Sequence, residues 1–198
     1  MNKVPDREEL TSIVKRRQLN KHINLLFIGV DWARKGGPHA VRVAETLNAL
    51  GFPTTLHVVG IRHMPKHVAN DFIVDHGYIS KNSASGERRL HQLMAESSFL
   101  VLPTLADCTP VVFSEANAFG IPCLASDVGG TTSVIKPEIN GKTFPLSRFV
   151  EDVVDYIVEM SSKQSVYNEL CFSSFDMYIN ELNWKTTGRK IFNLISSL

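Results

Sequence analysis

The feature that most constrains the fold is a strand–helix–strand alternation near the start of the chain. Residues 24–30 are a short apolar run that ends in a polar turn, which is typical of a buried parallel strand. Residues 38–50 predict a helix, and residues 54–60 predict a second strand. The predicted apolar stripe of the helix consists of Ala40, Val41, Ala44, Leu47 and Leu50. Two strands joined by a helix predict a parallel pair with a right-handed crossover.

The same alternation continues to the end of the chain. Further strands are predicted at 72–78, 98–103, 122–126 and 142–145. Helices are predicted at 86–96, 149–161, 166–180 and 184–198, preceded by a short helix that opens at Asp6 and carries Leu10, Ile13 and Val14. Residues 61–70 indicate nothing firmer than a short helix. The prediction is one α/β domain over residues 1–198, a doubly wound, mostly parallel, Rossmann-like sheet with a helical C-terminus.

Composition excludes several classes of protein. Hydrophobic residues make up 43% of the 198 residues, which is enough for a globular core. The 21 basic and 20 acidic residues nearly balance, so the chain has no excess of positive charge that would indicate nucleic-acid binding. The three cysteines (Cys108, Cys123 and Cys171) are an odd number without paired spacing, which favours a reducing compartment over a disulfide framework or a zinc site. No transmembrane segment or signal peptide is predicted. We expect a cytoplasmic protein, and peripheral membrane association stays open.

The stretch from Pro103 to Gly130, PTLADCTPVVFSEANAFGIPCLASDVGG, carries most of the chemical information. It predicts a strand end, a polar loop, a short helix opening at Thr109-Pro110 and closing at Gly120, a strand and a glycine turn. A helix N-terminus attracts phosphate, whereas Asp107 before it and Glu115 within it would accept from hydroxyls. A ligand with phosphates between hydroxyl groups, such as a nucleotide sugar, satisfies both requirements.

This stretch resembles the donor-binding signature of retaining GT-B glycosyltransferases, the group that contains sucrose, mannosyl and glycogen synthases. Asp107 and Glu115 are eight positions apart, Glu115 opens the run EANAFGIP, and Gly129-Gly130 follow. The family more often has Glu at the position of Asp107, and often an acidic residue where this chain has Ser133. These departures put the identity of the donor in question rather than the family.

The resemblance assigns roles to residues of this stretch. It implies that Glu115 accepts from the ribose hydroxyls and that Asp107 accepts from the hydroxyls of the transferred sugar. It also places the backbone amides at the start of the helix near the sugar and phosphate. In this chain these belong to Thr109, Pro110, Val111 and Val112. A hydrolytic acid/base pair of carboxylates is the alternative and ranks below transfer.

A basic turn follows the first predicted strand, where open α/β sheets bind ligands. The resemblance places Lys35 on the donor diphosphate and Gly29 at the strand end. The family usually has an arginine where this chain has Val30, so either Arg34 compensates or Lys35 acts alone. A solvated basic turn is the alternative to a binding site. Trp32 could stack on a ligand or pack beneath the turn.

Remaining polar residues give weaker signals. The resemblance places backbone contacts to the base at Tyr78 and Ile79, after the third strand. Among the histidines, His63 and His67 are four positions apart but have no third ligand nearby, so no metal site is predicted. Gly129-Gly130 and Asn140-Gly141 are turn sequences first, and Gly129-Gly130 could also allow a loop to approach the donor closely.

The sequence therefore predicts a donor domain that binds a UDP- or GDP-hexose for retaining transfer to an unknown acceptor, with no cofactor. We expect the N-terminal, acceptor-binding domain of a complete GT-B enzyme to lie outside this chain, which alone would be inactive. The alternative is a non-catalytic nucleotide-sugar module that acts with a partner chain. A sugar-nucleotide epimerase of the same fold is a weaker third possibility.

Overall fold

Six parallel strands form a single sheet in the computed structural model, which describes residues 4–62, 64–65, 68, 70–108 and 110–196. The strands are β1 (Ile23–Ile28), β2 (Thr54–Val59), β3 (Ile73–Asp75), β4 (Phe99–Leu102), β5 (Cys123–Ser126) and β6 (Gly141–Phe144). Their order in the sheet is β3-β2-β1-β4-β5-β6, and every pairing is parallel. The predicted doubly wound parallel sheet is confirmed, and the order of strands reverses direction between β1 and β4.

Helices cover both faces of this sheet. They are α1 (Arg7–Arg16), α2 (Gly37–Ala49), α3 (Ala84–Glu96), α4 (Val111–Asn117), α5 (Thr131–Val134), α6 (Phe149–Ser162), α7 (Gln164–Met177) and α8 (Trp184–Ser196). Helix α2 packs with α6 on one face, while α1, α3, α4 and α7 pack together on the other. Right-handed crossovers explain this division, because α2 and α3 lead the chain in opposite directions across the sheet.

The core lies between the sheet and its helices. Every residue of β4 and β5 is buried, as expected for central strands that are covered on both faces. The largest fully buried side chains are aromatic, namely Tyr167, Phe27, Phe99, Phe113 and Phe149. The predicted inward residues of α1 and α3 are buried as expected.

Several predicted boundaries were wrong. The third strand spans three residues, Ile73–Asp75, because only these pair with β2 at the edge of the sheet. The helix predicted to open at Thr109-Pro110 begins at Val111, with Pro110 as its N-cap, and Thr109 lies outside the described residues. Helix α7 ends at Met177 in a π-helical turn, Tyr178–Leu182, and α5 was not predicted.

The apolar stripe of α2 was also partly wrong. Val43 is buried there, whereas Val41 is half-buried and Leu50 is exposed. Leu50 lies just past the last helical residue, so it turns away from the sheet with the C-cap.

A buried arginine ties the helical layer together. The Arg17 guanidinium donates to the carbonyls of Gly120 at 2.8 Å, Phe119 at 2.9 Å and Met94 at 3.0 Å. These carbonyls belong to the turn after α4 and to the last turn of α3, where helical C=O groups lack intrahelical partners. Arg17 therefore closes two helix C-termini at once.

Helix α8 presents its apolar side away from the domain. Thr186 is its buried residue, while Trp184, Ile191, Phe192 and Ile195 are exposed on one side of the helix. Within the described parts of the chain, no helix is long and apolar enough to cross a membrane.

Candidate functional site

The predicted site residues converge on the carboxyl edge of the sheet. Strands β1 and β4 are neighbours, and the loops that follow them start where the strand order reverses, which is where open α/β sheets form a crevice. The two loops are joined by hydrogen bonds to the Arg34 carbonyl. The Leu105 amide donates to the Arg34 carbonyl at 2.8 Å, and the Thr104 hydroxyl donates to the same carbonyl at 3.2 Å.

Lys35 and Asp107 form an ion pair in this crevice. The Lys35 ammonium donates to Oδ2 of Asp107, and both side chains are largely buried. An added Cβ at Gly29 would lie 2.8 Å from Cγ of Lys35, so the glycine makes room for the lysine stem. The sequence assigned Lys35 to a phosphate and Asp107 to a sugar, and the structure places the two groups in contact.

Arg34 lies beside this pair but is more exposed. Its guanidinium donates to the Ala106 carbonyl at 3.0 Å and lies 3.9 Å from Oδ2 of Asp107. On its own turn, the Arg34 amide donates to the Asp31 carboxylate at 3.0 Å. The basic turn is therefore an ordered arrangement with two cations directed toward Asp107.

Two glycines allow the loops to approach each other closely. Gly36 has a φ of +77°, and a Cβ there would lie 1.9 Å from the Pro103 carbonyl oxygen. Gly129 has a φ of +55°, and a Cβ there would lie 1.9 Å from the Asp107 carbonyl oxygen. Any larger residue at either place would push the Asp107 loop out of position. These glycines allow the protein's own loops to contact each other. The sequence predicted a turn at Gly129-Gly130, and the structure adds its contact with the Asp107 loop.

Glu115 is held separately, by a lysine that sequence reasoning missed. The Lys81 ammonium donates to Oε1 of Glu115 at 2.5 Å and to Oε2 at 2.6 Å. A carboxylate on a largely apolar helix requires a partner, and the sequence signalled that need without identifying the lysine. Burial raises the pKa of Tyr178, and the charge of nearby Glu115 adds to the rise.

The remaining predicted residues lie around these two pairs. Tyr78 is exposed and Ile79 half-buried on the loop after β3, the same loop that carries Lys81. At the start of α4, Pro110 and Val112 are buried and Val111 is exposed. An open depression of about 490 Å³ lies next to Asp107, between Arg34 and Gly129.

Trp32 and the histidines have structural surroundings. The Trp32 ring lies against Gly37, where a Cβ would come within 2.4 Å of it, and 5.5 Å from the Phe27 ring, so it packs beneath the turn. His57 Nδ1 lies 3.0 Å from His76 Nε2, a pair that the sequence did not indicate. Burial, aided by the charge of His76, lowers the pKa of His57 to about 4. His63 and His67 lie outside the described residues.

Fold and site together define a Rossmann-like α/β domain with a polar crevice at its topological switch point. The family model described as "Glycosyl transferases group 1" matches residues 22–163, which is most of the chain. The chain belongs to this glycosyltransferase family.

Individual relatives agree with this assignment. A galactosyltransferase of Escherichia coli, named for UDP-Gal and an α-D-GlcNAc-diphosphoundecaprenol acceptor, is 26% identical over 101 residues, or 51% of this chain and 22% of that protein. EpsF of Bacillus subtilis, a putative glycosyltransferase by name, is 46% identical over 41 residues, 21% of this chain and 11% of that protein. The chain therefore matches less than a quarter of either curated relative.

Solved structures confirm the fold. The structure of HepE of Anabaena in complex with UDP and glucose matches with a TM-score of 0.72 at 14% identity. The match covers 98% of this chain and 53% of the HepE chain. The C-terminal domain of LpcC, a glycosyl transferase group 1 protein of Francisella tularensis, has a TM-score of 0.64 at 15% identity and covers 91% of this chain and 96% of its own. At such identities the likeness concerns the fold.

Proposed function

We propose that this chain is the donor-binding, C-terminal half of a retaining glycosyltransferase that uses a UDP- or GDP-hexose. The observation that carries the proposal is the meeting of Lys35 with Asp107 at the switch point of the sheet, in a chain whose signature acids stand eight positions apart. Membership of the family and the UDP-bound HepE structure support a nucleotide-sugar donor.

In this proposal each charged group has a separate task. Lys35 contacts the donor diphosphate, and because an ammonium has three donors it can keep Asp107 while it binds an oxygen of the phosphate. Arg34 adds a second cation from the exposed side of the crevice. When the bond between the anomeric carbon and the diphosphate breaks, its electron pair leaves with the diphosphate, and the two cations stabilise that charge. The hydroxyl of the acceptor then attacks the face that the diphosphate has left and gives its proton to the departing phosphate oxygen, so the configuration is retained.

The hydroxyl groups of the donor are assigned to the carboxylates. Asp107 accepts from the hexose hydroxyls, and Glu115 accepts from the ribose hydroxyls. Backbone groups of Tyr78 and Ile79 contact the base. Backbone groups at Gly29 and over 109–112 lie along the sugar and phosphate. The scheme uses no metal or cofactor, since Lys35 and Arg34 supply the positive charge.

A second domain completes the enzyme in this proposal. HepE is about twice as long as the part of it that this chain covers, whereas the LpcC C-terminal domain is covered almost entirely. The exposed apolar side of α8 is a surface that such a domain could cover. The acceptor would bind on that other domain, so the isolated chain is expected to bind donor without transferring sugar. We place the protein in the cytoplasm, which agrees with its three free cysteines.

Calorimetric titration of the 198-residue chain with UDP and GDP tests the proposal. We expect saturable binding of one of them, weakened at least about ten-fold in Glu115→Ala because hydrogen bonds to a charged acceptor are lost. Glu45→Ala, which removes an exposed carboxylate of α2, should bind like the wild type. Equal affinity in wild type and Glu115→Ala would contradict the assignment of Glu115. Absence of binding in both this chain and a longer gene product would contradict the donor site itself.

A further inference from the structure

The Lys81 ammonium lies against both carboxylate oxygens of Glu115, the acceptor atoms that the proposed function requires. Both carboxylate oxygens accept from the same ammonium, at 2.5 and 2.6 Å. The Glu115 side chain is 14% exposed and the Lys81 side chain is 52% exposed. The carboxylate is therefore fixed within the surface of the protein, whereas its partner lies at the solvent side and can move.

Lys81 also belongs to a short segment, residues 78–83, whose other side-chain bonds are local. The segment leads into α3, and these bonds run between neighbours, such as the Asn82 amide to the Ser80 hydroxyl at 3.3 Å and the Ser83 hydroxyl to the Ser80 carbonyl at 3.3 Å. The bond from Lys81 to Glu115 spans 34 positions and joins this segment to α4. Tyr78, three positions before Lys81, is exposed in the same segment.

We propose that Lys81 is a latch on the nucleotide site: its ammonium occupies Glu115 in the unliganded protein, and the ribose diol displaces it when the donor binds. This inference rests on the proposed role of Glu115. Because one ammonium lies within hydrogen-bond distance of both oxygens, it occupies the fork of the Glu115 carboxylate, and a diol that bridges the two oxygens in the same fork competes with Lys81 for that position. Displacement releases the tie between residues 78–83 and α4, so nucleotide binding and the position of this segment are coupled.

The size of the effect follows from the exposure of the pair. Ion pairs with one exposed partner are weak, so the latch is open for a sizeable fraction of the time. The apparent dissociation constant rises as the inverse of the fraction of sites in which the latch is open. Removal of the ammonium is therefore expected to tighten binding of a neutral ligand by about two- to five-fold.

The test compares Lys81→Met with the wild type by NMR titration with uridine and guanosine. Neutral nucleosides are the informative probes, because loss of a cation would also weaken the attraction of a diphosphate. Tighter nucleoside binding in Lys81→Met is expected, with no change in Lys163→Met, whose lysine is 51% exposed and bonded to Glu159 at 2.6 Å far from the crevice. In a Glu115→Gln background, Lys81→Met should have no further effect.

Hydrogen exchange of the unliganded protein is a second test of the latch, and it needs no nucleotide. Amides of residues 78–83 should exchange faster in Lys81→Met than in the wild type or Lys163→Met, because the tie to α4 is gone. Unchanged exchange there, or unchanged or weaker nucleoside binding by Lys81→Met when the wild type binds, would overturn the latch and leave the proposed function standing. If no nucleoside and neither UDP nor GDP binds any variant, the proposed function fails and the latch fails with it.

Discussion

At the scale of single residues, both signature carboxylates are held by lysines from distant parts of the chain. Asp107 contacts Lys35, 72 positions away, and Glu115 contacts Lys81, 34 positions away. The sequence predicted that these acids and Lys35 belong to one edge of the sheet. It could not predict the pairs, because the contact between a lysine and a carboxylate depends on how two loops fold over that edge.

In the two-domain enzyme that we propose, Lys35→Ala is expected to lower turnover by about a hundred- to a thousand-fold, because a preorganised charge on the departing diphosphate is lost. Lys163→Ala should leave turnover unchanged. Initial-rate measurements with a saturating donor give the comparison, and thermal unfolding shows that both variants are folded. Near wild-type turnover in Lys35→Ala would remove this lysine from the proposed chemistry.

The His57–His76 pair predicts a pH dependence of stability. Burial lowers the pKa of His57 to about 4 and that of His76 in the same direction. The unfolded chain takes up a proton below about pH 6.5, whereas the folded chain resists, so stability is lost as pH falls from about 6.5 toward 4. Asn24, Arg89 and Glu96 also face this pair, Arg89 opposing protonation and Glu96 favouring it.

Urea unfolding at pH 7 and pH 5 measures this dependence. We expect the free energy of unfolding of the wild type to fall by about 1–2 kcal/mol more than that of His57→Gln over this range. Arg189→Gln, at an exposed arginine of α8, should retain the wild-type difference. An equal fall in the wild type and in His57→Gln would contradict the prediction, because it would show that the pKa of His57 does not differ between the folded and the unfolded chain.

At the scale of elements, buried asparagines connect α4, α5 and β6. Asn140 donates to Oδ1 of Asn117 at 2.8 Å and to the Val134 carbonyl at 3.0 Å, and it accepts from the Lys136 amide at 2.7 Å. The sequence indicated only a turn at Asn140-Gly141, because that dipeptide is common in turns. The network that secures the helix of Glu115 becomes visible only when these three elements are packed together.

Asn140→Ala is expected to destabilise the domain by about 2–3 kcal/mol, because Asn117 and the Lys136 amide lose their buried partner. Asn20→Ala, at an exposed position, should change stability by less than about 0.5 kcal/mol. Urea denaturation of both variants at pH 7 provides the measurement. A cost for Asn140→Ala as small as that for Asn20→Ala would show that the network contributes little.

At the scale of the whole molecule, the exposed side of α8 offers a test of the proposed second domain. Phe192 is 70% exposed and Ile195 is 65% exposed, so they bury little surface within this chain. The doubly substituted Phe192→Ser, Ile195→Ser chain should therefore unfold within a degree or two of the wild type, since exposed substitutions cost about 0.5 kcal/mol or less.

The same pair of substitutions is expected to act differently in a longer gene product that carries the second domain. There it should lower the midpoint of thermal unfolding by several degrees and reduce transfer activity, because apolar surface that the proposed second domain would cover is lost. Calorimetric scans of both lengths give the result. Equal, small effects in the two proteins would show that α8 is not covered by the second domain.

The sequence alone determined the alternation of strands and helices, the doubly wound sheet and the position of the signature acids. Each of these follows from the spacing of residues or from a turn sequence among near neighbours in the chain. The tertiary structure decided that Lys35 contacts Asp107, that Lys81 holds Glu115, that Arg17 closes two helices and that α8 turns its apolar side outward. These contacts join residues far apart in the chain. Their partners are selected by the order of the strands and the packing of the loops, which no local pattern records.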